Sequence, residues 1–442
     1  MDLLRGKIKN LYFKYLAAAF GSALITSIYS IVDMAMVGQY QGPEGVAALA
    51  VVAPIWNVIY SLGLLMGIGG SVIFSTLRGG KRNKKEDENE YFTAAVIGSV
   101  ALAALAWAGI ICFERPVLLF FGAEEATLSL AQVYLVPIKY VFPCFLFNQM
   151  LAAFLRNDKN PGLATGAVLS GGIFNVVGDY VFVFVLDMGI FGAGLATAMG
   201  SVITFLVMLI HFLTKRNTLA LVRPFRVLDK MRKIIVTGFS TFFIDVAMGI
   251  LTVLFNRQIV KYLGTDALAV YGVIVNVSTF VQCCAYSVGQ AAQPIISINY
   301  GAKLGGRIKE TLKYSLAMAG FFSVFWTVLT LMVPNLFIKI FMSPTPEVLE
   351  MAPGIIRVYG ISFLLLPLNI FSTYYFQALM KPKAAFLVSV SRGMVISGLL
   401  ILSLPVLLQP DALWMAMPVT ELVVAVFVVV RMRKYTKELS AS

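Results

Sequence analysis

Four polar residues interrupt a chain built largely of apolar ones: Asp33, Asn175, Asp179 and Thr197. Asn175 and Asp179 fall four apart in FNVVGDYVFVFVLD, residues 174–187, a spacing that puts both on one helical face, a turn from each other. Two carboxylates, an amide and a hydroxyl that face one another form an all-oxygen nest, and hard oxygen donors suit a small hard cation such as Na+. Two neighbouring carboxylates in a low dielectric repel unless one takes a proton, so the same set suits H+ equally well. Either chemistry makes a site for a coupling ion. The competing reading is a hydrogen-bond network that ties helices together. For a single Asn or Thr that reading prevails; for two acids inside apolar segments it does not, because an intramembrane acid is costly to keep.

The elements that must position these residues are transmembrane helices. Hydrophobic residues make up 59% of the 442 and charged residues 13%, with mean hydropathy +0.85, outside the range of soluble domains. Long apolar runs recur along the whole chain, which predicts an all-α polytopic membrane protein; the strands of a β-barrel would alternate instead. The first run is long and lacks an early small-residue cleavage pattern, so no cleavable signal is expected. The net charge of +13 does not point to nucleic acid, because the basic residues lie at helix ends. Cys112, Cys144, Cys283 and Cys284 sit in or beside apolar runs without metal-ligand spacing and read as small hydrophobes. No nucleophile, metal set or cofactor motif is recognisable, so an enzyme is not expected.

Twelve spans follow, at roughly 11–38, 45–77, 91–113, 125–154, 162–186, 192–213, 233–262, 266–299, 311–333, 347–380, 384–407 and 412–430. Of the 35 Lys and Arg, 26 fall in one alternate set of connecting segments and ends; the opposite set and its borders hold only Arg115, Lys261 and Lys339. That asymmetry places both termini and the GGKRNKKE loop in the cytoplasm. Depth then unites the polar residues. Asp33 lies five residues before Gly38, Asp179 seven before Leu186, and Thr197 five after Gly192. At 1.5 Å per residue all three sit roughly 8–10 Å below the outer surface, with Asn175 one turn deeper.

The chain also repeats itself. YQGPEGVAALAVVAPIW from Tyr40 aligns with YLGTDALAVYGVIVNVS from Tyr262, an offset of 222 that matches Gly42 with Gly264, Gly67 with Gly289, Ser75 with Ser297, Gly79 with Gly301 and Lys81 with Lys303. A nearby offset of 224 aligns Pro143 with Pro367, Phe147 with Phe371 and Leu155 with Leu379. Two six-helix halves in the same orientation are expected: a first lobe at 1–213, a cytoplasmic linker at 214–232 and a second lobe at 233–442. Parallel halves around a central cavity suit alternating access.

With VDMAMVGQYQGPEGVAALAVVAPI at 32–55, AAFLRNDKNP at 152–161, FNVVGDYVFVF at 174–184 and MGIFGAGLATAMG at 188–200, the chain resembles the multidrug and toxin extrusion (MATE) family, nearest its MepA- and DinF-like bacterial branches. The second-half pieces YLGTDALAVYGVIVNV, QPIISINYGAK and YYFQALMKPKAA extend the resemblance over both lobes. It implies a V-shaped pair of six-helix lobes, a monomer in the bacterial cytoplasmic (inner) membrane among its lipids, and antiport of amphipathic, often cationic, drugs against Na+ or H+, with no other cofactor. It carries the family's cation-binding residues onto Asp33, Asn175, Asp179 and Thr197, with Asn148 of FLFNQMLAAF as a fifth member. The NorM-like branch places acids in spans 7 and 10, where this chain has Met248 and Asn369, with Asp245 about a turn out of register; the expected ion site is therefore in the first lobe. The alternative, a lipid-linked oligosaccharide flippase of the same superfamily, calls for a cavity lined with basic residues, whereas deep acids dominate here. A receptor or scaffold leaves the duplication and the acid pair unexplained.

Other intramembrane charges need partners. Arg392 and Glu421, at similar depths, are expected to form an interhelical ion pair. Arg257 and Lys14 lie near span ends and snorkel; Lys139 and Arg357 lie too deep for that, and the sequence supplies no account of them. His211 reads as an interfacial residue. A substrate cavity lined by Tyr29, Met34, Met36, Met66, Met150, Phe154, Tyr271 and Tyr286 is expected on chemical grounds, since Met surfaces re-pack and aromatic faces hold organic cations. Pro54, Pro137, Pro143, Pro294 and Pro367 are expected to bend their helices.

Overall fold

The computed structural model describes residues 2–80, 87–341 and 344–441. Among them there are helices and turns but no strand. Twelve helices are long and apolar enough to cross a membrane: spans 1 to 12 are Ile8–Gly42, Glu44–Gly79, Glu88–Phe120, Thr127–Asn157, Pro161–Val185, Gly189–Leu213, Val227–Tyr262, Gly264–Gly301, Gly305–Met332, Pro346–Ala378, Pro382–Leu407 and Pro410–Leu439. The chain is a multi-pass membrane protein, and large apolar side chains such as Leu105, Phe120, Tyr140 and Leu399 stay exposed on helix surfaces, as lipid allows. Most of the basic loop, residues 81–86, and with it the Lys81 half of one repeat match, lies outside the described residues.

Local chemistry sets the ends. Asp87 caps span 3 by accepting from the Asn89 N–H at 2.9 Å, and Thr345 caps span 10. Pro161, Pro346 and Pro382 each stand in a first helical turn, where the missing N–H costs nothing. Gly42 separates spans 1 and 2 with φ +71°, and Gly264 opens span 8 with φ +85°. The sequence repeat had paired these two glycines, and both adopt the left-handed conformation that a side chain disfavours. Gly67 and Gly289, another pair, do equivalent work: a Cβ on Gly67 would meet Met150 at 2.9 Å, and one on Gly289 would meet the ring of Tyr374. Met150 and Tyr374 are themselves related by the 224 offset.

The interruptions fall largely away from the expected prolines. Helix continues through Pro54, Pro137, Pro143 and Pro294. Span 3 departs from helical angles at Phe113 instead. Span 10 breaks into a tighter turn over Ile361–Leu364, just ahead of Pro367. Spans 5 and 11 each contain a wide π-turn, over Tyr180–Val185 and Ser391–Val395. Two further features depart from expectation: a short helix, Pro334–Phe341, precedes span 10, and span 7 begins at Val227, inside the stretch read as linker.

Two compact units divide the chain. The first comprises Met1–Leu3 and Ala17–Phe242, and the second comprises Leu4–Leu16 and Phe243–Ser442. In the first, span 6 packs on spans 4 and 5 and span 4 on span 3. In the second, span 8 packs on spans 9 and 10 and span 10 on span 11.

Candidate functional site

Spans 1, 4, 5 and 6 of the first unit supply the polar cluster, and small residues bring their backbones together. A Cβ on Gly171 of span 5 would strike the Gly200 carbonyl of span 6, and one on Gly194 of span 6 would strike the Tyr134 carbonyl of span 4. A Cβ on Gly178 would meet Ala196 at 3.0 Å. Such close approach is how small residues let membrane helices exchange polar contacts. Asn175 thereby reaches Thr197, and Tyr134 reaches both Asp33 on span 1 and Thr197 on span 6.

The Tyr134 hydroxyl donates to Asp33 Oδ2 at 3.0 Å and lies 3.4 Å from Thr197 Oγ1. Asn175 Nδ2 donates to the same Thr197 oxygen at 3.1 Å. Asp33, Asn175 and Asp179 are buried, Asp179 completely, and Thr197 is half-buried. The two acids lie within electrostatic reach of each other. Their remaining oxygens are left over: Asp33 Oδ1, Asn175 Oδ1 and both oxygens of Asp179 are buried with no hydrogen-bond partner among the described residues. Asn148 belongs to the neighbouring turn. Its Nδ2 donates to the Ser201 carbonyl and hydroxyl at 3.0 Å each, while its Oδ1 is likewise unpartnered. Buried acceptors without donors cost free energy, and a cation is the partner that an acceptor-only set fits. The π-turn Tyr180–Val185 begins where Asp179 ends its helix, a distortion common at functional sites. Tyr134 is the member that sequence reading missed.

The expected cavity residues separate. Met66, Met150 and Phe154 are consumed in packing. Phe154 stands edge-on to Phe74 and Phe92 at 5.8 and 5.0 Å, Met150 abuts Gly67, and Met66 abuts Gly98. None of the three presents a surface to a ligand, because close helix contacts at those glycines enclose them. Tyr29 and Tyr60 share a hydroxyl contact of 3.3 Å, while Met34 is exposed and Met36 half-buried on span 1. Tyr271 stacks on Phe255 at 5.0 Å beside Tyr359 and Trp414. Tyr286 donates to Asp245 at 3.1 Å.

The remaining charges find partners. Arg392 Nε lies 2.6 Å from Glu421 Oε1. Lys139 pairs with Glu114 of span 3 at 2.6 Å, and Arg357 Nε donates to the Leu331 carbonyl. Arg257 and Lys14 are exposed.

His211, in the last turn of span 6, is fully buried and belongs to a second network that the sequence did not disclose. Asp158 is its hub. Arg78 Nη1 lies 2.6 Å from Asp158 Oδ1, His211 Nε2 lies 2.7 Å from Oδ2, and the Thr218 N–H and hydroxyl donate to the same carboxylate. Asn160 Nδ2 meets His211 Nδ1 at 3.0 Å; an amide donor there leaves the ring proton on Nε2, facing Asp158. Burial pushes the Asp158 carboxyl up, but hydrogen bonds from His211, Thr218 and Arg78 outweigh it and hold the group below the usual carboxylate range. The connecting segment beyond Thr218 is fastened similarly, with the Ala220 and Val222 N–H groups donating to Asn89 and Thr93 at the start of span 3.

The family model MatE matches residues 18–181 and 239–401, one stretch in each half. The multidrug export protein MepA of Staphylococcus aureus strain MSSA476 is 23% identical over 395 residues, covering 88% of this chain and 84% of that protein. MepA of Staphylococcus saprophyticus is 25% identical over 378 residues, covering 85% and 82%. Among solved structures, an outward-facing multidrug resistance MATE family transporter of the MOP superfamily superposes with a TM-score of 0.89 at 18% identity, covering 100% of this chain and 98% of that one. A MOP superfamily transporter from Pyrococcus furiosus gives 0.90 at 18% identity, covering 99% and 98%.

Proposed function

The chain belongs to the MatE family, and from that premise we propose that it is a secondary active antiporter that exports amphipathic, often cationic, drugs or toxins against entering Na+ or H+. The coupling ion binds among Asp33, Asn175, Asp179 and Thr197, with Asn148 beside them. The observation that carries this reading is the set of buried side-chain oxygens left without donors, three of them carboxylate. No structural hydrogen-bond network leaves its acids unpartnered in this way, since an unpaired buried charge is costly. The kinship with multidrug export proteins named MepA supports the cargo class.

The residues divide the work. Tyr134 and Asn175 fix the Thr197 hydroxyl and one Asp33 oxygen, so that Asp33 Oδ1 and the Asp179 carboxylate are the groups free to meet an ion. Binding of one Na+ or H+ cancels one of the two negative charges that otherwise repel in a low dielectric. A conformation that seals the site tolerates the ion-bound pair far better than the bare one, so filling and emptying bias which side the transporter opens toward. Tyr29, Met34 and Met36, on the span that carries Asp33, remain as side chains for an amphipathic cation. The protein works as a monomer in the bacterial cytoplasmic membrane, with both termini in the cytoplasm.

The test is uptake of a fluorescent organic cation by proteoliposomes under a Na+ gradient and an H+ gradient imposed separately. One of the two gradients drives uptake by the parent. Asp33→Asn and Asp179→Asn each lower that driven uptake by more than about tenfold, a loss of at least ~1.4 kcal/mol of ion binding, without loss of membrane expression. Undiminished transport by both variants would sink the reading. Transport of lipid-linked sugar rather than the organic cation would replace it with the flippase.

A further inference from the structure

The second unit holds a buried acid that the proposed coupling does not use. Glu421 of span 12 is fully buried, and both its carboxylate oxygens are taken. Oε1 lies 2.6 Å from Arg392 Nε of span 11, and Oε2 accepts from Asn369 Nδ2 of span 10 at 2.6 Å. The Asn369 amide also donates to the Glu421 carbonyl at 2.9 Å. Its own Oδ1 is buried with no partner among the described residues, so one more oxygen stands beside the carboxylate. Both partners of Glu421 sit at backbone irregularities. Asn369 lies near the start of the half-helix Leu366–Ala378, after the break in span 10. Arg392 lies within the π-turn Ser391–Val395, where Gly393 comes so close to span 7 that a Cβ would meet that of Ala247 at 2.6 Å.

The contrast with the first unit is chemical. Span 5 has its π-turn immediately after Asp179, whose oxygens lack donors; span 11, the matching span of the repeat, has its π-turn around a guanidinium that is already paired. A guanidinium stays charged at any physiological pH, and its tether keeps it at high effective concentration beside the carboxylate. A free ion competing for Glu421 has to displace both.

We propose that Arg392 is the resident cation of the second unit, seated on the Glu421 carboxylate where the first unit accepts an exchangeable ion. The second unit then adds nothing to the ion-to-substrate ratio. Removal of the guanidinium turns the oxygens of Glu421 and Asn369 into a cation site. The contrast between the units rests on the function proposed above; the cation site exposed by losing Arg392 does not.

Purified full-length protein in detergent tests this directly, with thermal stability measured in NaCl against choline chloride at equal ionic strength. Asp33→Asn/Asp179→Asn serves as the background, which silences the first unit. Adding Arg392→Gln produces a Na+-specific rise in Tm of about 2 °C or more at ~100 mM, and adding Glu421→Gln as well abolishes it. In the otherwise unaltered chain, Arg392→Gln/Glu421→Gln, which neutralises both partners and so leaves no unpaired charge, transports with the parent's ion-to-substrate ratio. A folded Arg392→Gln protein without a Na+ response overturns the proposal, as does an altered ratio in the doubly neutral variant. If Arg392→Gln alone fails to fold, the ratio decides. A background that still responds to Na+ as the parent does contradicts the first-unit site instead, and the Arg392 effect is then read as the difference between the two proteins.

Discussion

Tyr134 gives the first-unit cluster a fixed point that neither acid provides. Its single hydroxyl reaches Asp33 on span 1 and Thr197 on span 6, which commits Oδ2 of Asp33 and leaves Oδ1 buried without a donor, the oxygen available to the proposed ion. Removing that hydroxyl frees the carboxylate to rotate and forfeits a bond to a charged group, worth about 1.5–3 kcal/mol. Where Na+ drives transport, Tyr134→Phe is therefore expected to raise the half-saturating Na+ concentration at least about tenfold, measured by titrating driven uptake. An unchanged half-saturation would show that Tyr134 only packs. The acids were legible from sequence because an acid inside an apolar run has few structural excuses. Tyr134 was not, since in LAQVYLVPIKY it reads as one more aromatic of a membrane helix. Met66, Met150 and Phe154 illustrate the converse failure: Met and Phe fill cores and line cavities alike, and only the glycine opposite each decides which.

At the scale of elements, the repeat was legible because glycine is favoured where φ is positive. Gly42 and Gly264 both mark left-handed turns between consecutive spans. The span 10 break falls just ahead of Pro367, which marks it in the sequence, whereas the two π-turns left no comparable mark. The connecting segment between spans 6 and 7 was read as an ordinary linker, and its anchorage went unseen for a physical reason: Asp158 sits in a short polar turn, where solvation is the default expectation. In the structure this carboxylate is buried and fastens Thr218 of the connector to Arg78 and His211. Its pKa is depressed in the folded state, so the stability it contributes is complete above the ordinary carboxylate value and disappears as pH falls through the lower folded one. Asp158→Asn deprives the half-buried Arg78 guanidinium of its 2.6 Å partner and removes the charge that fastens Thr218, at a cost of about 1.5–3 kcal/mol. Melting curves of parent and variant should therefore differ by a constant gap from neutral pH down to about pH 5, and the gap should close only below about pH 4. Equal melting at neutral pH would show that the network does not hold the connector.

For the molecule as a whole, sidedness decides what the coupling site means, because an ion can drive export only if it enters from outside. The charge pattern supports the proposed orientation. Of 35 Lys and Arg, 26 lie on one side, against Arg115, Lys261 and Lys339 at the other. Each basic residue resists transfer across the bilayer during insertion, so a bias this large, spread over loops on both halves, supports the orientation proposed above. In that proposed orientation the connector between spans 6 and 7 is inside and the turn between spans 11 and 12 is outside. Exposed positions test both: Arg216 in the connector, Lys437 near the end of span 12 and Asp411 at its beginning. In a chain whose four native cysteines are replaced by serine, Asp411→Cys should react with a membrane-impermeant maleimide on intact cells. Arg216→Cys and Lys437→Cys should react only after permeabilisation. The reverse pattern would put the Asp33–Asp179 cluster near the inner surface, and an inward ion gradient would then have to reach it through the depth of the bilayer before it could act.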